Sequence, residues 1–233
     1  MDSALPSWPR AVVFDLDGTL VDSAPDIKAA LNATLATDGL APFDVDRVKT
    51  MVGGGSRRLV ERALAARGDA VDDGRVDRLV DIFEKIYADN PCQETRIFPG
   101  AVSLIETLTA RGIGIGLCTN KPGGATLPLL EALDLARHFG AVVTGSDGFA
   151  KKPDAAMLAA TFAKLGCTAE DGVMVGDSAA DVGCARAAGC PVVLVSFGYT
   201  HEPASTLGAD AVADGFDEIL PILQTIGRSH MRA

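Results

Sequence analysis

Val12-Val13-Phe14-Asp15-Leu16-Asp17-Gly18-Thr19-Leu20 joins a short apolar run to two carboxylates and a glycine. The run has the composition of a buried strand. In a doubly wound sheet, ligands bind outside the carboxyl ends of the strands. Acids placed there are not explained by core packing. If the chain stays extended, Asp15 and Asp17 share one side and Leu16 takes the other. Gly18 then permits a sharp change of direction.

Four further apolar runs resemble this one: Ile113–Cys118, Ala141–Val143, Val173–Val175 and Val192–Val195. A last short strand is expected at Ala211–Ala213. Between the later runs lie segments with helical spacing, at Ala101–Arg111, Ala125–Leu135, Ala155–Leu165 and Ala179–Ala188, and Phe216–Ile226 closes the series. Strand, helix, strand in repetition predicts an α/β fold with a doubly wound, Rossmann-like parallel sheet.

The interval from Ala24 to Thr95 breaks the pattern. It has no strand signal, and apolar residues recur at helical spacing: Ile27, Ala30, Leu31, Leu35; Leu59, Val60, Ala63, Leu64; Val76, Leu79, Val80, Phe83, Ile86. It is too long and too apolar for a loop. The residues favour an all-helical cap subdomain at 24–94 inserted into a core of 1–23 and 95–233; extra helices packed on one core are the alternative.

The chain has 233 residues, 48% of them hydrophobic, and a formal charge of −10. That balance argues against a general affinity for nucleic acid or anionic membrane. It leaves a small anionic ligand open, because a few local cations suffice for one. Five cysteines without a CxxC pair or zinc-ligand spacing fit a reducing compartment. The N-terminal MDSALPSWPR has no apolar signal core, no run reaches membrane-spanning length, and a cytoplasmic location is expected. The tail after Gly227 shows no apolar periodicity and is expected to fray.

Other strand ends carry polar groups too. Leu117-Cys118-Thr119-Asn120-Lys121 ends one strand with a hydroxyl and an amide, which alone is also ordinary turn chemistry. Lys151-Lys152-Pro153 precedes a helix and alone would pass for a solvated cation pair. Val173-Met174-Val175-Gly176-Asp177-Ser178-Ala179-Ala180-Asp181 ends a strand with Asp177 and sets Asp181 one helical turn later. Ser178 suits the cap of that helix, and Asp181 also suits a first-turn acid near the helix dipole. Together, three carboxylates at strand ends form an oxygen-rich site for a hard cation such as magnesium (Mg2+). A lysine, a hydroxyl and backbone amides can hold phosphate oxygens, and a free carboxylate can attack phosphorus.

FDLDGTLVDS, LCTNK, KKP and VGDSAAD, in this order, resemble the four motifs of the haloacid dehalogenase superfamily, in its phosphatase branch with a helical cap. The resemblance covers essentially the whole chain. It implies Asp15 as the nucleophile that forms an aspartyl-phosphate, and Asp17 as the acid for the leaving oxygen and then the base for water. It implies magnesium bound by Asp15, the Asp17 carbonyl and Asp177. Thr119 and the Asn120 amide would hold phosphoryl oxygens, Lys152 would neutralise charge in transfer, and Asp181 would orient a metal water or Lys152. Lys151 would be an exposed neighbour. Many relatives read KPxP, whereas this chain has Lys152-Pro153-Asp154-Ala155, which bears on helix entry more than on chemistry.

Within the superfamily the phosphoglycolate phosphatases are the most similar. The cap segment from Met51 to Leu64, with Gly53-Gly54-Gly55-Ser56-Arg57-Arg58, looks like their substrate loop and following helix, and Thr119-Asn120-Lys121 and Ser196-Phe197-Gly198-Tyr199 also fit the resemblance. Gly54 and Gly55 would let backbone amides approach an anion, and Arg57 or Arg58 could meet a carboxylate; a hinge followed by a solvated basic turn reads equally well. The resemblance therefore implies magnesium-dependent hydrolysis of a small phosphomonoester, with 2-phosphoglycolate leading, by a monomer or homodimer. A sugar or nucleotide phosphatase, a phosphosugar mutase and a non-enzymatic binding protein are the alternatives. A metal-free dehalogenase would have no use for Asp17 and Asp177.

Overall fold

A computed structural model describes residues 8–90, 92–200 and 202–230, with side chains through 227. The expectation of no signal core falls largely on residues 1–7, outside the described residues. Six parallel strands form one sheet in the order β5-β4-β1-β6-β7-β8: β1 is Ala11–Phe14, β4 Gly114–Cys118, β5 Ala141–Val143, β6 Gly172–Gly176, β7 Val192–Val195 and β8 Ala211–Ala213. Each lies where its apolar run predicts it, with bounds within a residue or so.

Both faces of the sheet are covered, which is why its strands read as continuous apolar runs rather than alternating ones. Val12, Phe14, Leu117 and Val175 pack on one face with α5 (Ala101–Ala110), α6 (Gly123–Ala132) and α9 (Phe216–His230). Val13, Cys118, Met174 and Leu194 pack on the other with α7 (Ala156–Lys164) and α8 (Ala179–Ala188). The tail expected to fray instead continues α9 to His230. β1 is central, and strand order runs outward from it in both directions, so the switch point lies between β1 and β6. Asp15 follows β1 and Asp177 follows β6, so the two carboxylates straddle that crevice.

The interval without strand signal is a helical insert: α1 (Ala24–Ala36), α2 (Val45–Lys49), α3 (Ser56–Arg67) and α4 (Asp73–Asp89). Its apolar clusters, around Leu31, Met51, Phe83 and Tyr87 and around Val60, Leu64 and Leu79, are separate from the two sheet clusters. Two elements escaped the sequence pattern. One is α2, five residues long. The other is a two-stranded antiparallel ribbon, β2 (Val21–Asp22) with β3 (Arg96–Ile97), at the root of the insert. Asp26, in the first turn of α1, fastens that root: its carboxylate accepts from the amides of Gln93, Glu94 and Thr95 and from the Thr95 hydroxyl at 2.6 Å.

Candidate active site

Asp15 leaves β1 with its amide bonded to the Val175 carbonyl, so the sheet ladder fixes its backbone. Gly18 has φ +85°, and a Cβ there would lie 2.5 Å from Asp177 Oδ2. A Cβ on Gly198 would strike Asp177 itself. Two glycines thus let the β1 and β7 loops close on this carboxylate. Asp177 Oδ1 accepts from the Thr19 hydroxyl at 3.1 Å and Oδ2 from the Tyr199 amide at 2.7 Å. Each oxygen keeps a lone pair for a further partner.

Lys152 is buried between two acids, with Nζ 2.9 Å from Asp15 Oδ1 and 2.6 Å from Asp181 Oδ1. Lys151 is exposed, so the structure separates the two lysines as expected. Asp181 is saturated: its Oδ2 accepts from the amides of Asp177 and Ser178 and from the Ser178 hydroxyl. It holds Lys152 and the start of α8. Burial pushes the lysine's pKa down, but the charges of Asp15 and Asp181 outweigh it and leave it well above the ordinary value.

Asp15, Asp177 and Asp181 bring carboxylate oxygens within 4.8 Å of one another. Like charges at that distance repel by about 3 kcal/mol per pair at an effective dielectric of ~20. One ammonium against three carboxylates leaves the cluster short of positive charge. Burial, then the Asp181 and Asp15 charges, hold Asp177 well above the carboxylate range. Burial lifts Asp15 to about 6, with Lys152 opposing. Asp15 Oδ1 is buried and accepts no hydrogen bond among the described residues, although Lys152 lies near it. A hard cation would supply the missing positive charge. Asp15 and Asp177 have oxygens to spare for one; Asp181 does not.

Thr119, at the end of β4, accepts the Lys121 amide at 3.2 Å and keeps its own O–H to donate. Asn120 is a bracket: its carbonyl oxygen accepts the Lys152 amide, and its NH2 donates to the Lys152 and Gly53 carbonyls at 3.0 and 2.9 Å. The Gly53 bond ties the insert's loop to the core. Asp17 accepts from Ser23 Oγ at 2.5 Å and pairs with Lys121 Nζ at 3.1 Å.

Gly53 and Gly55 line the cavity over Asp15, whereas Gly54 lines a neighbouring cavity. The arginines do not come to Asp15. Arg57 pairs with Asp73, Asp77 and Glu61 across the α3–α4 hairpin, and Arg58 with Glu61. Both line the neighbouring cavity. Sequence reasoning gave no role to Lys121, Thr19, Ser23, Tyr87 or Tyr199. Lys121 had a signal, since it adjoins Thr119 and Asn120; the others act through contacts across the fold that spacing does not reveal.

Residues 12–195 match the family model of the haloacid dehalogenase-like hydrolases. The phosphoglycolate phosphatase of Rhodospirillum rubrum is 49% identical over 212 residues, covering 89% of this chain and 88% of that protein. That of Caulobacter vibrioides is 44% identical over 208 residues, covering 89% and 88%. A crystal structure of a predicted phosphoglycolate phosphatase from Haemophilus somnus superposes with a TM-score of 0.83 at 30% identity, covering 91% of this chain and 97% of that one. The match takes in the ends of β1 and β6, where Asp15 and Asp177 stand, and so the chain belongs to the haloacid dehalogenase-like hydrolases.

Proposed function

We propose that the protein hydrolyses 2-phosphoglycolate to glycolate and inorganic phosphate through an aspartyl-phosphate on Asp15. The observation that carries this is Asp15 itself: a buried carboxylate 2.9 Å from the Lys152 ammonium that lines a small cavity beside Asp17 and Thr119. Relatives at 39–49% identity bearing that activity's name supply the substrate.

In this scheme an Asp15 oxygen attacks phosphorus and the bond from phosphorus to the glycolate oxygen breaks. Asp17, held by Ser23 and Lys121, gives its proton to that oxygen. A water then attacks the phosphorus of the aspartyl-phosphate, returns a proton to Asp17, and phosphate leaves Asp15. Thr119 donates to a phosphoryl oxygen, and Lys152 balances the charge that gathers on the transferred group. Asp15, Asp177 and the Asp17 carbonyl would hold magnesium, which when bound supplies positive charge to the phosphoryl oxygens. Residues 24–94 serve as a cap that excludes bulk water. No helix of the described residues is long and apolar enough to cross a membrane. Five free cysteines suit a reducing compartment, and we assign the protein to the cytoplasm.

Phosphate release measured across small phosphorylated acids, sugars and nucleotides, with and without magnesium, tests the scheme. The highest kcat/KM is expected for 2-phosphoglycolate, and only with the metal. A sugar phosphate in first place would overturn the substrate; undiminished turnover in chelator would overturn the metal.

A further inference from the structure

A two-carbon phosphorylated acid carries a carboxylate that the site must recognise, and Arg57 and Arg58 are turned to another cavity. The cavity over Asp15 has a single lysine or arginine among its described lining residues, Lys121. Its Nζ lies 3.1 and 3.2 Å from the two Asp17 oxygens and 4.3 Å from the centroid of the Tyr87 ring. Tyr87 lines the same cavity from α4, is 2% exposed, and its hydroxyl has no hydrogen-bond partner among the described residues. A buried phenol left unpaired costs about 1–3 kcal/mol, so a native structure that keeps one needs a reason. A ligand oxygen in the cavity provides one.

We propose that the Tyr87 hydroxyl and the Lys121 ammonium form the subsite for the substrate's carboxylate and so determine specificity for a short phosphorylated acid. This rests on the function proposed above. The length follows from Lys121: it touches Asp17, which protonates the ester oxygen, so an anion on Lys121 lies only a few bonds from that oxygen. In 2-phosphoglycolate one CH2 separates the ester oxygen from the carboxylate carbon. Beyond, the cavity wall is mostly apolar, with Ile27, Leu59 and Phe83, and its further polar groups are Ser56 and Glu84. One residue comes from the insert and the other from the core, so the subsite exists only where the two meet.

The test compares 2-phosphoglycolate with 2-hydroxyethyl phosphate, the same ester with CH2OH in place of the carboxylate, on the full chain with magnesium. Tyr87→Phe removes the hydroxyl and leaves the ring in place beside Lys121 and Phe83. It should lower the ratio of kcat/KM for the two esters about tenfold, through KM for the acid. Inhibition by inorganic phosphate should stay as in the wild type, because the phosphate end is untouched. Lys121→Met should bring the ratio to within a few-fold of one, whereas Arg58→Ala should keep it within about twofold of wild type. Equal losses on both esters in Tyr87→Phe and Lys121→Met, or a preference that survives both, would overturn the subsite alone. A wild type with no preference for the carboxylate would overturn both the subsite and the proposed substrate.

Discussion

The core and the insert face the same cavity with opposite materials. On the core side, strand ends deliver buried ions, and most are tied: Lys152 to Asp15 and Asp181, Asp177 to Thr19 and Tyr199, Asp17 to Ser23 and Lys121. On the insert side the wall is mostly apolar, with the Ser56 and Tyr87 hydroxyls and the Glu84 carboxylate set in it. Several of the insert's arginines are engaged within it, Arg57 with Asp77, Arg75 and Arg78 with Asp38, Arg67 with the carbonyls of Ala41 and Pro42. Charge set on a parallel sheet cannot move without breaking the ladder, whereas an apolar wall on a helical hairpin can be reshaped by one side chain. Chemistry is therefore assigned to the first face and selection to the second, and that division can be broken from either side.

The largest effect is expected at the centre of the core face. Asp15→Asn should lower turnover by at least about 10^4-fold on every ester, because it removes the attacking oxygen. The fold should not suffer. The Asp15 carboxyl is raised to about 6 from 3.8, chiefly by burial. A carboxylate whose folded pKa is raised contributes stability below its unfolded pKa and loses that contribution as pH rises through its folded one. In chelator, wild-type stability relative to Asp15→Asn should thus fall between about pH 4 and 6. Thermal melts of both proteins across that range check it; a variant less stable than wild type at pH 7.5 would count against the assignment.

Lys152 should come next. Lys152→Ala strands two buried carboxylates and should cost about 10^3-fold in kcat together with several kcal/mol of stability, since breaking a buried ion pair leaves an uncompensated charge. Lys151→Ala, one residue away and exposed, should change kcat by less than about twofold. Parallel kinetics on the pair decide whether the buried lysine alone serves the reaction.

The core face was legible in the sequence and the insert face was not, for a physical reason. A buried strand announces itself by composition, and its end is then a known address, so Asp15, Thr119 and Asp177 could be placed before any coordinates. Lys152 could be separated from Lys151 only through motif resemblance, and its burial agrees. On α4, periodicity pointed to Val76, Leu79, Val80, Phe83 and Ile86; Val76, Leu79 and Phe83 are buried as expected, Val80 and Ile86 only half so, and the stripe's last member, Tyr87, was missed. Arg57 looked free because Asp73 and Asp77 meet it only after α3 and α4 fold together. Neither α2 nor the β2–β3 ribbon is long enough to carry a period.

A smaller effect is expected at the metal. Asp177→Asn keeps the shape and can still accept from Thr19 and Tyr199, but it gives up a charge. The magnesium concentration for half-maximal activity should rise about 10- to 100-fold, and the wild type's rise in melting temperature with magnesium should shrink correspondingly. An unchanged magnesium response in both measurements would remove Asp177 from the ligand set.

The smallest effect on activity belongs to the root of the insert, where the two faces are joined. Asp26 gathers three backbone amides and the Thr95 hydroxyl, so Asp26→Ala leaves several donors unpaired and should cost about 2–3 kcal/mol. Burial opposes the charge on Asp26, but the Thr95 hydroxyl and the amides outweigh it and lower its pKa below the ordinary value. A lowered carboxylate contributes stability that is present above its unfolded pKa and lost as pH falls through its folded one. The gap between wild type and Asp26→Ala should therefore be full at neutral pH and close progressively in acid below about pH 4, opposite in sign to the Asp15 effect. Because Asp26 touches no reacting group, activity on 2-hydroxyethyl phosphate should fall by no more than a few-fold. If Asp26 holds the insert in register with the core, the preference for 2-phosphoglycolate should fall further, since Tyr87 rides on the helix that this clamp anchors while Lys121 stays with the sheet.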